Sequence, residues 1–339
     1  MNIPAAPSVP RPFPHRRAGH CASGALRDLL EYHRLDYGAG PLSEPMVFGL
    51  SGGYGFFYTD QLPGIPFYLV GRVGSMEHDI AAHLGATAHV QSTDDPDEGW
   101  QAIKDAIDRG DPPLVWADIA HLEYLRVRMV NTRHAIVICG YDDDHQVAWV
   151  ADNDRDELQP CSYTSLRRAL NSDGFPSPNR STRFRYQWPK ALPDLEDAVR
   201  AAAATTSRNM RQDSDTVGGL QGACGLAGVT HFARTFPDWA ARFEDTLPQA
   251  LDLLTVLIVK AGTGGAMFRS LQADYLGQVA DTLRDQTVAE AARTATALAD
   301  QWKALANNTA AHDLAAARET VQRIDYLEHE ALRALEALL

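Results

Sequence analysis

The chain is poor in cysteine and in basic charge, and it has no long apolar run. Its four cysteines, at positions 21, 139, 161 and 224 of 339 residues, form no CxxC pair and no zinc-type spacing. They are too sparse for a disulfide framework, so they read as reduced thiols to be judged singly. No metal is expected. The formal net charge of −13 excludes general nucleic-acid binding, because a phosphate backbone is held by clustered Lys and Arg. The longest apolar run, LLTVLIV at 253–259, falls far short of the roughly 20 residues a membrane span needs, and the proline-rich start MNIPAAPSVPRPFPHRR holds no signal-peptide core. The expectation is a cytoplasmic protein with neither membrane nor nucleic acid among its partners, its self-association left open.

What is present divides near residue 188. Before it, short apolar segments punctuated by Gly and Pro, at 65–74, 112–119, 134–142 and 146–154, read as strands, separated by helices at about 22–35, 77–85 and 97–109. After it the chain turns alanine-rich, with helical periodicity at about 193–209, 218–233, 237–260, 265–285, 286–306 and 309–338. The pattern predicts an α+β protein: a mixed α and β domain over 1–188 and an all-helical domain over 189–339.

RRAGHCASGALRDLL, residues 16–30, carries the first chemical signal. Ala22, Leu26, Leu29, Leu30 and His33 recur at helical spacing, which puts Cys21 in the first turn behind Arg16, Arg17 and His20. A thiol at a helix N-terminus beside cationic groups is biased toward the reactive thiolate. The bland alternative is a buried cysteine, the common fate of this residue. A nucleophile also needs a base and a group to hold the base. NTRHAIVICGYDDDHQVAWVADND, residues 131–154, reads as a β-hairpin that returns Asp152, Asn153 and Asp154 to the level of His134. A one-residue slip changes which of the three meets the histidine; Asp152 is favoured because it directly ends the apolar strand. Taken alone, His134 reads as an exposed residue at a strand start and Asp152 as a turn residue. Together, Cys21, His134 and Asp152 follow the chain order of papain-like cysteine enzymes. Cys139, inside AIVICGY, reads as core; Cys161 has no recognisable partner; Cys224, in a glycine-rich stretch, is the rival nucleophile.

The run HCASGALRDLLEYHRLDYGAGPLSEPMVFGLSGGYGFFY at 20–58, with RHAIVICGYD and VADND, resembles the N-terminal domain of the butirosin biosynthesis protein H family. KAGTGGAMFRSLQADYL at 260–276 is similar to the helical domain of unassigned function that commonly follows it. The resemblance implies a papain-like fold with a mixed or antiparallel sheet, used for acyl transfer from an acyl carrier protein thioester to an amine. It makes Cys21 the acylated nucleophile, His134 the general base and Asp152 its orienter, with the helical domain covering or completing the site. No cofactor of the enzyme's own is implied; phosphopantetheine arrives on the donor. Papain-like peptidases place a glutamine upstream of the cysteine as oxyanion donor. This chain has no Gln before Cys21, which leaves the Cys21 amide, His15 and His20 as candidates.

Further substrate contacts are expected from His20, from Glu44 toward a cationic amine, and from Gly53 and Tyr54 in a glycine-rich stretch walled by aromatics. Arg269, just after GTGG, is expected to meet a phosphate or carboxylate. The plain alternatives are a capping Glu44 and a glycine-rich turn between buried elements. Arg16, Arg17, Arg126, Arg128 and Arg133 are expected to form a basic rim for an acidic carrier protein, or else to be scattered solvated charges. Three functions compete: an acyltransferase of secondary metabolism, a hydrolase with the same acyl-enzyme, and a scaffold without chemistry. The intact Cys, His and Asp set weighs against the scaffold.

Overall fold

The computed structural model describes residues 12–62, 64–212, 216–217, 220–260 and 263–339, residues 216 and 217 in backbone only. Along the chain run α1 (Cys21–Tyr32), α2 (Glu44–Leu50), β1 (Tyr54–Thr59), β2 (Tyr68–Arg72), α3 (Met76–His83), β3 (Thr87–Gln91), α4 (Pro96–Asp108), β4 (Leu114–Ala117), β5 (His134–Asp142), β6 (Val147–Ala151), β7 (Gln159–Ser162), α5 (Tyr163–Leu170) and β8 (Arg183–Gln187). There follow α6 (Leu195–Arg211), three two-residue strands β9 (Thr216–Val217), β10 (Leu220–Gln221) and β11 (Ala223–Cys224), then α7 (Gly225–Thr235), α8 (Trp239–Phe243), α9 (Leu247–Val259), α10 (Arg269–Leu283), α11 (Gln286–Ala310) and α12 (Leu314–Glu336). The protein is α+β. Among the described residues no helix is long and apolar enough to cross a membrane.

The chain divides into two compact units, Met1–Glu44 with Leu84–Leu192, and Pro45–His83 with Pro193–Leu339. The composition change near 188 thus falls close to the last crossing, at Leu192/Pro193. The segment Pro45–His83, which the sequence reading places in the first half, groups with the helices instead.

In the first unit a six-stranded antiparallel sheet runs β3-β8-β4-β5-β6-β7. Its inner strands are β-branched and aromatic, as a pleated packed surface favours. Ile136, Ile138, Val115, Val150 and Ala148 form a core with Ile103 and Ile107 of α4 and Leu166 and Ala169 of α5, all nearly solvent-free. Fully burying one such aliphatic side chain contributes about 1.5–3 kcal/mol, so the hairpin β5–β6 is held rigidly. Cys139 and Cys161 lie in this buried sheet.

In the second unit β1 pairs β2 and β11 antiparallel. β1, YGFFYT, is buried at every position. The stretch expected to be an aromatic-walled loop is therefore a turn between buried elements: Gly52, at φ +65 with Thr205 and the Ala202 carbonyl against its Cα, makes the turn from α2 into β1. Gly49 of α2 packs face-on to Tyr275, where a Cβ would lie 1.9 Å from the ring. Of GTGG, Gly262 lies outside the described residues. The helix expected over 237–260 is two, because Glu244 at φ +42 breaks it and α9 restarts with Pro248 in its first turn. The expected helix over 218–233 begins only at Gly225, after β10 and β11.

Candidate active site

His20 has extended backbone, φ −141 and ψ 140, and its side chain accepts the amide of Ser23, which makes it the N-cap of α1. Cys21 is then the first helical residue. Its amide has no intrahelical acceptor, and the partial positive charge of the helix start falls on its thiol. The helix is anchored by Ala22, Leu26, Leu29 and Leu30, at most 1% exposed.

The approach to Cys21 is tied to the end of β6. Ala18 exchanges backbone and side-chain hydrogen bonds with Asn153: the Ala18 amide donates to the Asn153 carbonyl at 2.9 Å, and Asn153 Nδ2 donates to the Ala18 carbonyl at 3.1 Å. Gly24 permits this close approach, since a Cβ there would stand 2.7 Å from Ala18 Cβ. Beneath the same segment, buried Arg27 donates to Asp28 Oδ1 at 2.9 and 2.8 Å and to the carbonyls of Arg16 and Arg17. His15 Nδ1 meets Asp28 Oδ2 at 2.7 Å and its Nε2 meets the Arg155 carbonyl at 3.1 Å. Both ring nitrogens of His15 are thereby committed, which removes it from the oxyanion candidates.

His134 opens β5 with its side chain 12% exposed, and its Nε2 lies 2.9 Å from each carboxylate oxygen of fully buried Asp152. Tyr124 donates to Asp152 Oδ2 at 2.8 Å, and Arg155 donates to the Tyr124 carbonyl at 2.8 Å. With Nε2 on Asp152, Nδ1 is the ring nitrogen left to act on Cys21. Asn153 faces Ala18 instead, and Asp154 pairs with Arg155.

Electrostatics follow from this geometry. Burial alone would raise the Cys21 pKa, but the electrostatic influence of His20 and hydrogen bonds from His134 and His20 outweigh it and draw the thiol well below its ordinary value. For His134, burial favours the neutral ring, yet the Asp152 carboxylate, with Cys21, holds the pKa well above the usual imidazole range. Asp152 is lowered against its own burial by His134 and Tyr124. All three shifts favour a thiolate–imidazolium pair with a carboxylate behind it. By contrast burial pushes Cys139 up, and Cys161 up to about 12. Cys224 is 1% exposed in β11, opposite Phe57.

Several expected substrate contacts are otherwise engaged. Glu44 accepts from the amides of Gly19 and His20, both at 2.8 Å, and from Ser23 Oγ at 2.9 Å, so its carboxylate is filled by the helix start rather than open to an amine. Gly53, Tyr54 and Arg269 belong to the other unit, all buried. Arg269 pairs with Glu328 at 2.8 Å, both essentially solvent-free, and stacks 4.3 Å over Tyr54, whose hydroxyl also donates to Glu328. Its charge is neutralised inside the helices, which leaves none for a ligand phosphate. Arg133 lies 4.3 Å over the Trp116 ring and donates to Asn179 and Ser177. Arg16 pairs with Glu31, and Arg17 donates to the Asp154 carbonyl; Arg126 and Arg128 are exposed.

Ser23, Arg27, Asp28, Tyr124 and Arg155 escaped the sequence reading. Only Arg27–Asp28 left a trace, as a charged pair inside an otherwise apolar helix. Among the described residues no group of three His, Cys, Asp or Glu is arranged to hold a metal ion.

Comparison with known proteins matches the same residues. The family model of the butirosin biosynthesis protein H N-terminal domain covers residues 20–153, from the capping histidine past Asp152. That of a domain of unknown function, DUF4872, covers residues 164–335. No curated protein matches the chain. The first name is that of an antibiotic-biosynthesis protein, consistent with a place in secondary metabolism. With both models matched in order along most of its length, the chain belongs to the family in which the butirosin biosynthesis protein H N-terminal domain is followed by DUF4872.

Proposed function

We propose that the protein is a cysteine-dependent acyltransferase that moves an acyl or aminoacyl group from a carrier-protein thioester, through a Cys21 thioester, to an amine. The observation that carries this reading is the thiol of Cys21 at a helix start, drawn toward thiolate beside a histidine whose far nitrogen is fixed on a buried carboxylate. The Cys21 sulfur attacks the thioester carbonyl and forms a tetrahedral intermediate. Its collapse breaks the donor's C–S bond, and His134 gives a proton to the departing phosphopantetheine thiol. In the second half His134 takes the proton of the attacking amine, the amide C–N bond forms, and Cys21 leaves as thiolate. Asp152 keeps the imidazole in one orientation and supports its charge.

Docking of an acidic carrier is assigned to the exposed segment Arg126–Val130. There Arg126 and Arg128 alternate with Val127, Met129 and Val130, which are 40%, 62% and 43% exposed. Tyr124, on Asp152, anchors the segment before it and Arg133, on Trp116, after it. Arg16 and Arg17 stand near Cys21 with partners of their own and contribute less.

The test is a partition experiment. Enzyme acylated by a carrier-bound thioester is challenged with a panel of amines, and the fate of the acyl group is followed by mass spectrometry. Amide formed faster than free acid supports transfer. Free acid at the same rate with and without amine makes the protein a hydrolase.

A further inference from the structure

Between α4 and the strands β8 and β3, at one edge of the six-stranded sheet, the first unit leaves a wedge unfilled. Residues paired across strands share a face of a sheet, and Arg183 of β8 stands between Val115 of β4 and Gln91 of β3. Val115 packs with Ile103 and Ile107 of α4, so Arg183 and Gln91 lie on the face that α4 covers. Toward them α4 turns Ala102 and Ala106, one helical turn apart and too small to fill the space. What remains is a cavity of about 170 Å³, whose wall also includes Asp105, Arg109, Asp111 and Arg185. A drug-sized site takes roughly 300–1,000 Å³, so this one suits a ligand of a few heavy atoms.

Three guanidinium groups and two carboxylates line it, which leaves one positive charge in excess. Asp111 is answered by Arg185 at 3.7 Å and by His33 Nε2 at 3.8 Å, and Asp105 accepts from Gln101 at 2.7 Å. Arg183 has no such answer. Its Nη1 is buried and, among the described residues, has no hydrogen-bond partner; Glu98 acts on it only at longer range. A buried charged donor left unpaired costs stability, and a ligand oxygen placed in the cavity removes that cost. The planar guanidinium fork matches a carboxylate through two parallel N–H···O bonds. A single excess positive charge suits a monoanion, whereas a phosphate dianion would bring a second negative charge toward Asp105 and Asp111. We propose that this cavity is a binding site for a small carboxylate, held by Arg183 with Gln91 and Arg109 at the rim. It lies away from the nucleophile: Asp111 stands beside His33, the C-cap of α1, and Cys21 opens that 12-residue helix about 18 Å away along its axis.

Two substitutions address the site in different ways. Arg183→Met keeps the apolar stem and removes the charge, while Ala106→Leu fills the cavity and leaves every charge in place. The full chain is titrated at constant ionic strength with acetate, glycine and succinate, and separately with inorganic phosphate, and the backbone amide resonances of Gln91, Arg109 and Arg183 are followed by NMR. The expected result is a saturable shift of those resonances with at least one carboxylate, and an apparent affinity about tenfold or more lower in both variants. Without ligand, Arg183→Met should melt no lower than wild type, because a buried charge without a partner has been removed. Phosphate that saturates where no carboxylate does overturns the assignment, as does carboxylate binding of wild-type strength in Arg183→Met, or no saturable shift with any of the four probes. A lower melting temperature in Arg183→Met together with undiminished binding in Ala106→Leu makes Arg183 a structural residue and overturns it as well. None of these readouts involves Cys21, so the acyl-transfer reading stands or falls separately.

Discussion

Cys21 owes its expected reactivity to neighbours supplied by three separate stretches of chain. His20 precedes it, His134 opens a strand, and Asp152 directly follows the next one. Their opposing pKa shifts set a pH profile. Because the Cys21 pKa is lowered, alkylation by iodoacetamide should already be fast at neutral pH and fall only as pH drops through that lowered value. Cys139 and Cys161, whose pKa values are raised by burial, should stay unlabelled under the same conditions. Peptide mapping that finds either of them, or Cys224, labelled before Cys21 contradicts the assignment. Acylation also needs a protonated His134, so its rate should decline again as pH rises through that residue's raised pKa. His134→Ala should abolish acylation. Asp152→Asn should keep the fold, lose about 10- to 100-fold in rate, and move the alkaline limb to lower pH, because the charge that holds the imidazole protonated is gone. An unchanged profile in Asp152→Asn counts against its orienting role.

At the scale of elements, a single bulge decides which residue faces His134. From the turn inward β5 and β6 pair Asp142 with Val147 through Gly140 with Trp149, and the register then shifts so that Ile138 meets Val150 and Val137 meets Ala151. Continued, the shifted register sets Asp152 opposite Ile136, on the face shared with His134. Without the bulge at Cys139, Asn153 would hold that place. The hairpin itself was legible in the sequence, from two apolar runs and an acidic turn; the bulge was not, since nothing in AIVICGY marks an extra residue. The same limit applies to α1. Its periodicity and the position of Cys21 could be read, whereas the work of Glu44 depends on a partner 24 residues away. β1 was missed for a different reason. Its glycine–aromatic composition suggests a flexible wall, and only packing in three dimensions turns it into a wholly buried strand. Gly24 gives the element-level prediction: Gly24→Val drives a side chain into Ala18 and Asn153 and should cost about 1–3 kcal/mol in chemical denaturation. Acylation should slow with it, because Ala18 leads into the capped start of α1. A variant as stable and as active as wild type would show that this contact does not position the cysteine.

For the molecule as a whole, the helical second half was legible from its alanine-rich period. That Pro45–His83 groups with those helices was not, because membership in a unit is a matter of long-range contacts rather than local pattern. Arg269 shows the same difficulty: a guanidinium near glycines suggests a phosphate until its buried partner Glu328, 59 residues on, is known. Net charge belongs to this scale as well. At −13 the protein would repel an acidic carrier at long range, but exposed charges are screened beyond about 8–10 Å at ordinary ionic strength, so under the proposed docking the local arginines would govern encounter. Reversing Arg126 and Arg128 to Glu should slow acylation by a carrier-bound donor several-fold at low salt, with the defect shrinking as salt rises, while acylation by S-phenyl thioacetate stays unchanged. An equal loss with both donors would mean that the two arginines support the site itself, and no loss with either would remove the docking assignment.

The central claim, that Cys21 carries the acyl group, is tested most directly by incubating the protein with a panel of acyl thioesters and locating the added mass by peptide mapping. The account predicts one acyl group per chain, on the peptide that contains Cys21, formed by the wild type and absent from Cys21→Ala. Acylation of Cys21→Ala to the same extent, or a wild type that no thioester modifies, would contradict it.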